Sequence, residues 1–253
     1  MEKKLGSLFD GIGGFPLAAK RNGIRPVWAS EIEKFPMAVT MYRFPEMKHM
    51  GDITKLHGEN LPVVDVIAGG SPCQDLSIAG RRAGLAGMRS GLFLEQVRII
   101  KEMRRQEERR KNSSGRRADV PVRPRYMVWE NVPGAFSSGE PKGSDFKRVR
   151  EEVCGISEES VSLPGPPDVA WTPAGIILGQ EFSVAWRVLD AQFWGVPQRR
   201  RRIFLVADFG GHSAGEILFE SESVWRHYQE SREQRQKAAA NLGGGTLTSG
   251  TGA

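Results

Sequence analysis

The chain has 253 residues, of which 39% are hydrophobic, and its formal net charge is +6. That length allows one large α/β domain, or one domain with a small appendage. No apolar run reaches the roughly 20 residues of a membrane-spanning helix, and no apolar stretch follows Lys3 and Lys4 as a secretory signal would require.

The two cysteines, Cys73 and Cys154, show no disulfide framework and no metal-ligand spacing, so a reducing cytoplasm and no bound metal are expected. The positive balance suits a polyanionic partner. The run from Arg199 to Arg202 contains no acid and is a candidate for phosphate or substrate contact. The basic residues around Arg104 and Arg109 alternate with Glu102, Glu107 and Glu108, the pattern of a solvated helix face.

In chain order, residues 5–9 read as a short apolar strand. Asp10-Gly11-Ile12-Gly13-Gly14-Phe15 follows, and residues 16–21 read as a helix closed by Asn22-Gly23. Strand, glycine loop and helix form a ligand-binding arrangement, because the glycines let a ligand approach the backbone. The spacing is not G-x-G-x-x-G, so alone it is a weak signal. Residues 27–30 form a second strand, and Glu31 after it is placed to hydrogen-bond ribose hydroxyls or to start a helix near 35–42. Asp52 taken alone is a turn residue.

Residues 63–68 are β-branched, apolar and closed by Gly69-Gly70, the pattern of a buried strand that ends in a loop. That loop carries Ser71-Pro72-Cys73-Gln74-Asp75-Leu76-Ser77. A cysteine just past a strand end can present its sulfur to a cleft, although most free cysteines are simply buried. A long helix is expected over 91–110, a buried strand over 126–129 and a helix over 144–153. Residues 158–180 read as an inserted loop. Two strands, 183–191 and 202–208, flank Phe193-Trp194-Gly195-Val196-Pro197-Gln198. Residues 223–241 read as a charged helix, and 243–253 as a low-complexity tail.

Pro72-Cys73-Gln74, with Ser77 and Gly80 beyond it, resembles the nucleophile motif of the cytosine-5 DNA methyltransferases. Four further stretches resemble that family's motifs in the same order. They are Phe9 to Phe15, Glu31-Ile32 with Gly51-Asp52-Ile53, Glu130-Asn131-Val132, and Gln198 with Arg200 and Arg202. The resemblance implies a Rossmann-like α/β fold with a mixed, mostly parallel sheet and helices on both faces, and S-adenosylmethionine as cofactor. It implies Cys73, Glu130 and Arg200 as catalytic residues, with Arg200 supporting both the base oxygen and the Glu130 side chain. Phe9, Asp10, Gly11, Gly13, Gly14, Phe15, Glu31, Ile32, Asp52, Ile53 and Pro72 would line the cofactor, and Gln74, Ser77, Asn131 and Arg202 the substrate. The glycine-rich residues 74–89 would close over a flipped-out base.

The resemblance spans residues 5–208, so a catalytic domain over 1–209 is expected. Residues 210–253 would begin a C-terminal region that lacks a recognisable target-recognition domain and the family's last motif. Double-stranded DNA is the partner implied. A partner polypeptide carrying the recognition domain, and an accompanying restriction endonuclease, are further partners the family suggests. Two other readings stay open: an inactive cofactor-binding half that needs such a partner, and an RNA cytosine-5 methyltransferase.

Overall fold

A computed structural model of the protein describes residues 2–72, 91–113, 120–165 and 171–219. The expected helix over 223–241, the tail after it and the loop over 74–89 lie outside the described residues. The chain divides into two compact units. One comprises residues 1–189 and 201–218, and the other comprises 190–200 and 219–253.

The first unit is built on eight strands: β1 (Lys4–Leu8), β2 (Arg25–Ser30), β3 (Lys48–His49), β4 (Val66–Gly69), β5 (Tyr126–Asn131), β6 (Ala174–Leu178), β7 (Ser183–Asp190) and β8 (Arg201–Asp208). They lie in the order β3-β2-β1-β4-β5-β8-β7-β6. The first five are parallel to their neighbours, and β8 runs antiparallel to β5. The strand order reverses between β1 and β4, the position where open α/β sheets bind ligands at the carboxyl ends of their strands.

Among the described residues five α-helices accompany the sheet: α1 (Gly14–Arg21), α2 (Lys34–Arg43), α3 (Gly91–Ser113), α4 (Ser144–Cys154) and α5 (Ala214–Leu218). They cover both faces. On one face Leu8, Ile67, Met127, Trp129, Ile203 and Leu205 pack with Phe93, Val97, Ile100 and Met103 of α3 and Phe146, Val149 and Val153 of α4. On the other, Leu5, Ala68 and Val128 meet Phe15 and Ala19 of α1. The split follows the two-residue period of a strand, which sends successive side chains to opposite faces. Among the described residues, no helix is long and apolar enough to cross a membrane.

Two sequence readings change. Residues 158–180 are not all loop, because β6 forms the sheet edge there. Its Gly175 lets the Trp186 ring cross the strand, since a Cβ at that position would sit 2.2 Å from the ring. The basic run on α3 is not all solvated. Arg104 donates to the carbonyls of Val122, Pro124 and Phe209, and Glu107 is buried against Arg123 at 2.8 Å. Cys154 is fully buried in the core, where desolvation pushes its thiol up to about 11; it is an inert packing residue.

The start of β5 is locked to the end of β8. Asp208 is fully buried and takes Arg125 through both carboxylate oxygens, at 2.7 and 2.9 Å. It also accepts from the Ser213 hydroxyl and from the N–H groups of Gly210 and Ser213. Burial opposes the charge, but these bonds prevail and hold the carboxyl at about 2.

In the second unit, residues 190–200 form a loop closed on its own first residue. Asp190 accepts from the N–H groups of Gln192 and Arg200. Phe193, Trp194 and Val196 each stand about half exposed on it.

Candidate active site

The loop between β1 and α1 follows the switch point directly. Phe9 (φ 53°), Gly11 (55°) and Gly13 (86°) all take left-handed backbone conformations. Gly13 needs its hydrogen for a second reason: a Cβ there would lie 2.9 Å from the Phe44 ring. A Cβ on Gly11 or Gly14 would meet nothing within 4 Å. The loop is therefore pinned at Gly13 and open at the two glycines beside it, a surface a ligand can approach down to the backbone.

Glu31 closes this loop from the end of β2. Its Oε2 accepts from Gly11 N–H at 2.8 Å, and its Oε1 from Ile32 and Glu33 N–H at 2.8 and 3.0 Å. A carboxylate offers about four lone-pair sites, so Glu31 is rigidly oriented with room for about one more donor. Ile32 and Phe35 beside it are exposed by 66% and 75%, large for apolar side chains and available to a flat ring. Asp52 caps the turn after β3, with Oδ1 accepting from Thr54 N–H and Oγ. These bonds hold its carboxyl below the usual range.

Ile53 differs from expectation. Its side chain is buried in the main core, and the whole residue is only 4% exposed. The turn that carries it is braced by Arg98 of α3. That guanidinium bonds Glu95 and Glu102 on its own helix and donates to the carbonyls of Ile53 and Leu56.

The second group gathers where β4 and β5 end side by side. Gly69 pairs with Trp129, so the next residues, Gly70 and Glu130, are neighbours. A Cβ on Gly70 would lie 2.9 Å from Glu130 Oε2. Glycine lets the backbone leading to Pro72 pass this near the carboxylate, which a side chain at residue 70 would push aside. Strand parity then decides which residues of β5 stay available. Met127, Trp129 and Asn131 point into the core, while Tyr126, Val128 and Glu130 point to the other face and are only partly buried.

Asn131, expected to touch substrate, is thus buried. Its Nδ2 donates to the Ser71 carbonyl and hydroxyl at 3.2 and 3.4 Å, and its Oδ1 accepts from Val132 N–H. Trp129 Nε1 also donates to the Ser71 hydroxyl. Neither Ser71 nor Trp129 stands out in the sequence. The Gly-Gly-Ser-Pro run marks a turn but does not reveal that its serine is clamped from the next strand.

The ion pair with Glu130 belongs to Arg202, not to Arg200. Arg202 Nε lies 2.9 Å from Glu130 Oε1. The register explains the choice. Glu130 pairs with Phe204 and Asn131 with Ile203, so Arg202, two residues before Phe204, shares the face of Glu130 within reach of a long side chain. Arg200 precedes the strand, and its N–H is taken by Asp190 at 3.0 Å. Pro72 is exposed at the edge of this region. Cys73, Gln74 and Ser77 lie outside the described residues.

One carboxylate in the region is unusual. Asp10 is buried, its Oδ1 takes the Ser7 hydroxyl, and its Oδ2 has no hydrogen-bond partner. Burial, with a smaller push from Glu31, raises its pKa to about 6.

This strand order, with a glycine loop after β1 and an acid after β2, defines a Rossmann-like methyltransferase fold. It superposes on a prophage-encoded DNA modification methyltransferase from E. coli with a TM-score of 0.53 and 22% identity, over 81% of this chain and 46% of that one. It superposes on the Dnmt2 methyltransferase of S. pombe with a TM-score of 0.51 and 18% identity, over 81% and 50%. The chain belongs to the C-5 cytosine-specific DNA methylase family, whose model matches residues 3–152 and 177–238.

Curated relatives include an Escherichia phage P1 protein named DNA N-6-adenine-methyltransferase, 34% identical over 97% of this chain and 34% of that protein. The Bacillus phage rho11s orphan methyltransferase M.Rho11sI is 29% identical over 79% and 32%. The type II methyltransferase M2.BsuMI of Bacillus subtilis is 30% identical over 81% and 41%. The chain spans a third to two fifths of the length of these relatives.

Proposed function

We propose that this chain carries the catalytic and cofactor-binding part of an enzyme that methylates carbon 5 of cytosine in DNA through a covalent cysteine adduct on a flipped-out base. The observation that carries the reading is the Glu130–Arg202 pair, held beside Gly70, three residues before Cys73 in the sequence.

The residues of the first group suit S-adenosylmethionine. The open backbone at Gly11 and Gly14 would admit it, Phe9 and Phe15 flank that loop, and Glu31 has a lone pair left for a ribose hydroxyl. Ile32 offers an apolar face for the adenine, and Asp52 keeps Oδ2 clear of Thr54 for its amino group. When bound, this cofactor supplies an electrophilic methyl group on a good leaving group, which leaves the protein mainly the task of alignment.

Carbon 5 of cytosine is a poor nucleophile. A Cys73 thiolate that adds to carbon 6 pushes the ring electrons toward carbon 5 and makes it enamine-like. Glu130 hydrogen-bonds ring nitrogen 3 and the amino group, holding a proton at nitrogen 3 as charge develops there. Arg202 orients Glu130 and faces the ring oxygen. Once carbon 5 carries the methyl group, loss of its proton restores the double bond and expels the Cys73 thiolate. Gln74 and Ser77 would contact the substrate, as the resemblance implies, and Asn131 acts indirectly, by holding Ser71. The base must leave the duplex to reach this pocket, at a cost of a few kcal/mol.

Incubation with DNA and labelled S-adenosylmethionine, followed by nucleoside mass spectrometry, tests the reading. The label should appear as 5-methylcytosine. Label in N6-methyladenine would overturn it, and that arm matters because of the printed name of the phage P1 relative. A second reading rests on the length comparison: the chain is a part that binds cofactor but methylates only with a recognition region supplied in the same or another polypeptide. It expects cofactor binding and no label until that region is added. The same assay run with RNA distinguishes an RNA substrate.

A further inference from the structure

The glycine loop holds an acid, Asp10, which the resemblance sets against the cofactor but for whose carboxylate the contacts above give no task. Asp10 follows β1 directly, is 5% exposed, and has one oxygen satisfied by Ser7 and one buried with no partner. A buried acceptor left unpaired costs stability. Among the described residues the charged group acting on Asp10 is Glu31, a second carboxylate, and it repels. No described cation acts on either oxygen, although a positive charge would satisfy the orphaned atom and relieve the repulsion together. Asp10 is followed by Gly11, whose N–H is bonded to Glu31 and whose far side is open. Asp10 therefore carries a buried, orphaned oxygen within the loop read above as the cofactor site, one residue before its open glycine.

We propose that Asp10 is the counter-charge for the positive charge of the cofactor, so that cofactor capture expels a proton from Asp10. This rests on the cofactor reading above and adds a charge selection and a pH dependence to it. S-adenosylmethionine carries two cationic groups, the sulfonium and the α-ammonium, whereas the demethylated product keeps only the ammonium.

The sign follows from linkage. In the free protein the acid titrates near 6, so it is largely protonated at pH 5 and ionised at pH 8. A bound cation favours the ionised form and lowers that pKa. Affinity should then fall as pH drops through 6, by about tenfold between pH 7 and pH 5 if binding restores an ordinary carboxyl pKa. Removing the Ser7 hydrogen bond, which favours the ionised form of the free protein, should move the midpoint upward.

Isothermal titration of the chain in two buffers of different ionisation enthalpy at pH 6 measures proton release directly, without any turnover. We expect about half a proton released per cofactor bound. Asp10→Asn should abolish the release and weaken binding at pH 8 by tenfold or more. The same variant should raise the melting temperature of the free protein at pH 8 by about 2–6 °C, because it removes a buried unpaired charge. Ser7→Ala should keep the release with its midpoint at higher pH.

Release with S-adenosylmethionine alone assigns the sulfonium as partner, and equal release with the demethylated product assigns the ammonium. If both ligands bind without proton release, and Asp10→Asn binds equally well, this inference fails while the cofactor reading stands. A lower melting temperature for Asp10→Asn together with unchanged affinity would make Asp10 a structural acid and also overturn it. If neither ligand binds the wild-type chain at any pH, the cofactor reading itself fails.

Discussion

Arg202→Ala removes the guanidinium that orients Glu130 and leaves the carboxylate itself in place. The pair is a single charge-assisted hydrogen bond of 2.9 Å, with the two side chains 21% and 23% exposed. Such a bond is worth about 1.5–3 kcal/mol when shielded, and partial access of water argues for the lower part of that range. At 1.36 kcal/mol per decade, a loss of about 1.5–2 kcal/mol slows the chemical step about 10- to 30-fold. Arg202→Lys keeps the charge but not the planar fork, and should recover only part of the loss. Arg200→Ala should cost less than Arg202→Ala, because strand register and the 2.9 Å contact favour Arg202. The assay is single-turnover methyl transfer under saturating cofactor, with cofactor affinity measured separately. A large loss in Arg200→Ala beside near-normal Arg202→Ala would refute the reassignment. So would an Arg202→Ala defect confined to cofactor binding.

Asn131→Ala removes the clamp on Ser71. Leaving a buried carbonyl without this donor costs about 1–3 kcal/mol. The turnover rate should fall while cofactor affinity holds, and an equal loss of both would mean that the whole sheet edge had shifted. Asp208, held at about 2 by Arg125 and its other donors, contributes about 2 kcal/mol at neutral pH. Its pKa is depressed, so that stability is present above about pH 4 and is lost as pH falls toward 2; Asp208→Asn should flatten that acid limb in chemical denaturation, and an unchanged limb would count against the assignment. Gly70→Ala places a Cβ 2.9 Å from Glu130 Oε2. It should slow methyl transfer at least as much as Arg202→Ala, and wild-type turnover would show that the carboxylate can move aside.

Local chemistry was legible in the sequence, whereas chain pairing was not. The loop after β1 and the root of the Cys73 loop depend on glycines and a proline, whose backbone preferences are written residue by residue. The assignment of Arg200 instead of Arg202 had a different origin. Counting along a basic run cannot reveal that β8 pairs Phe204 with Glu130, because register is a property of two strands. The burial of Asn131 follows from the strand period alone. That residue stands next to Glu130 in a strand, and the two-residue period forbids both from facing the same cleft. The edge strand β6 escaped because Gly175 within it, Gly179 just after it and the exposed Ile176 and Leu178 look like loop composition, and its partner β7 supplies most of the reason it is extended. Ile53 illustrates the opposite limit: its neighbour Asp52 faces solvent while Ile53 enters the core, a distinction set by the braced turn and not by the residue pair.

The account depends most on the sulfur of residue 73 attacking a pyrimidine ring held by Glu130. Duplex DNA substituted with 5-fluorocytosine tests this directly, because fluorine blocks the final loss from carbon 5 and keeps the adduct. Incubation with S-adenosylmethionine and the recognition region, if one proves necessary, should give a denaturant-resistant protein–DNA species mapped to Cys73. The species should be absent in Cys73→Ser and reduced in both Glu130→Gln and Arg202→Ala. Methyl transfer to normal DNA without any trapped species, or trapping that survives the loss of Cys73, would contradict the account.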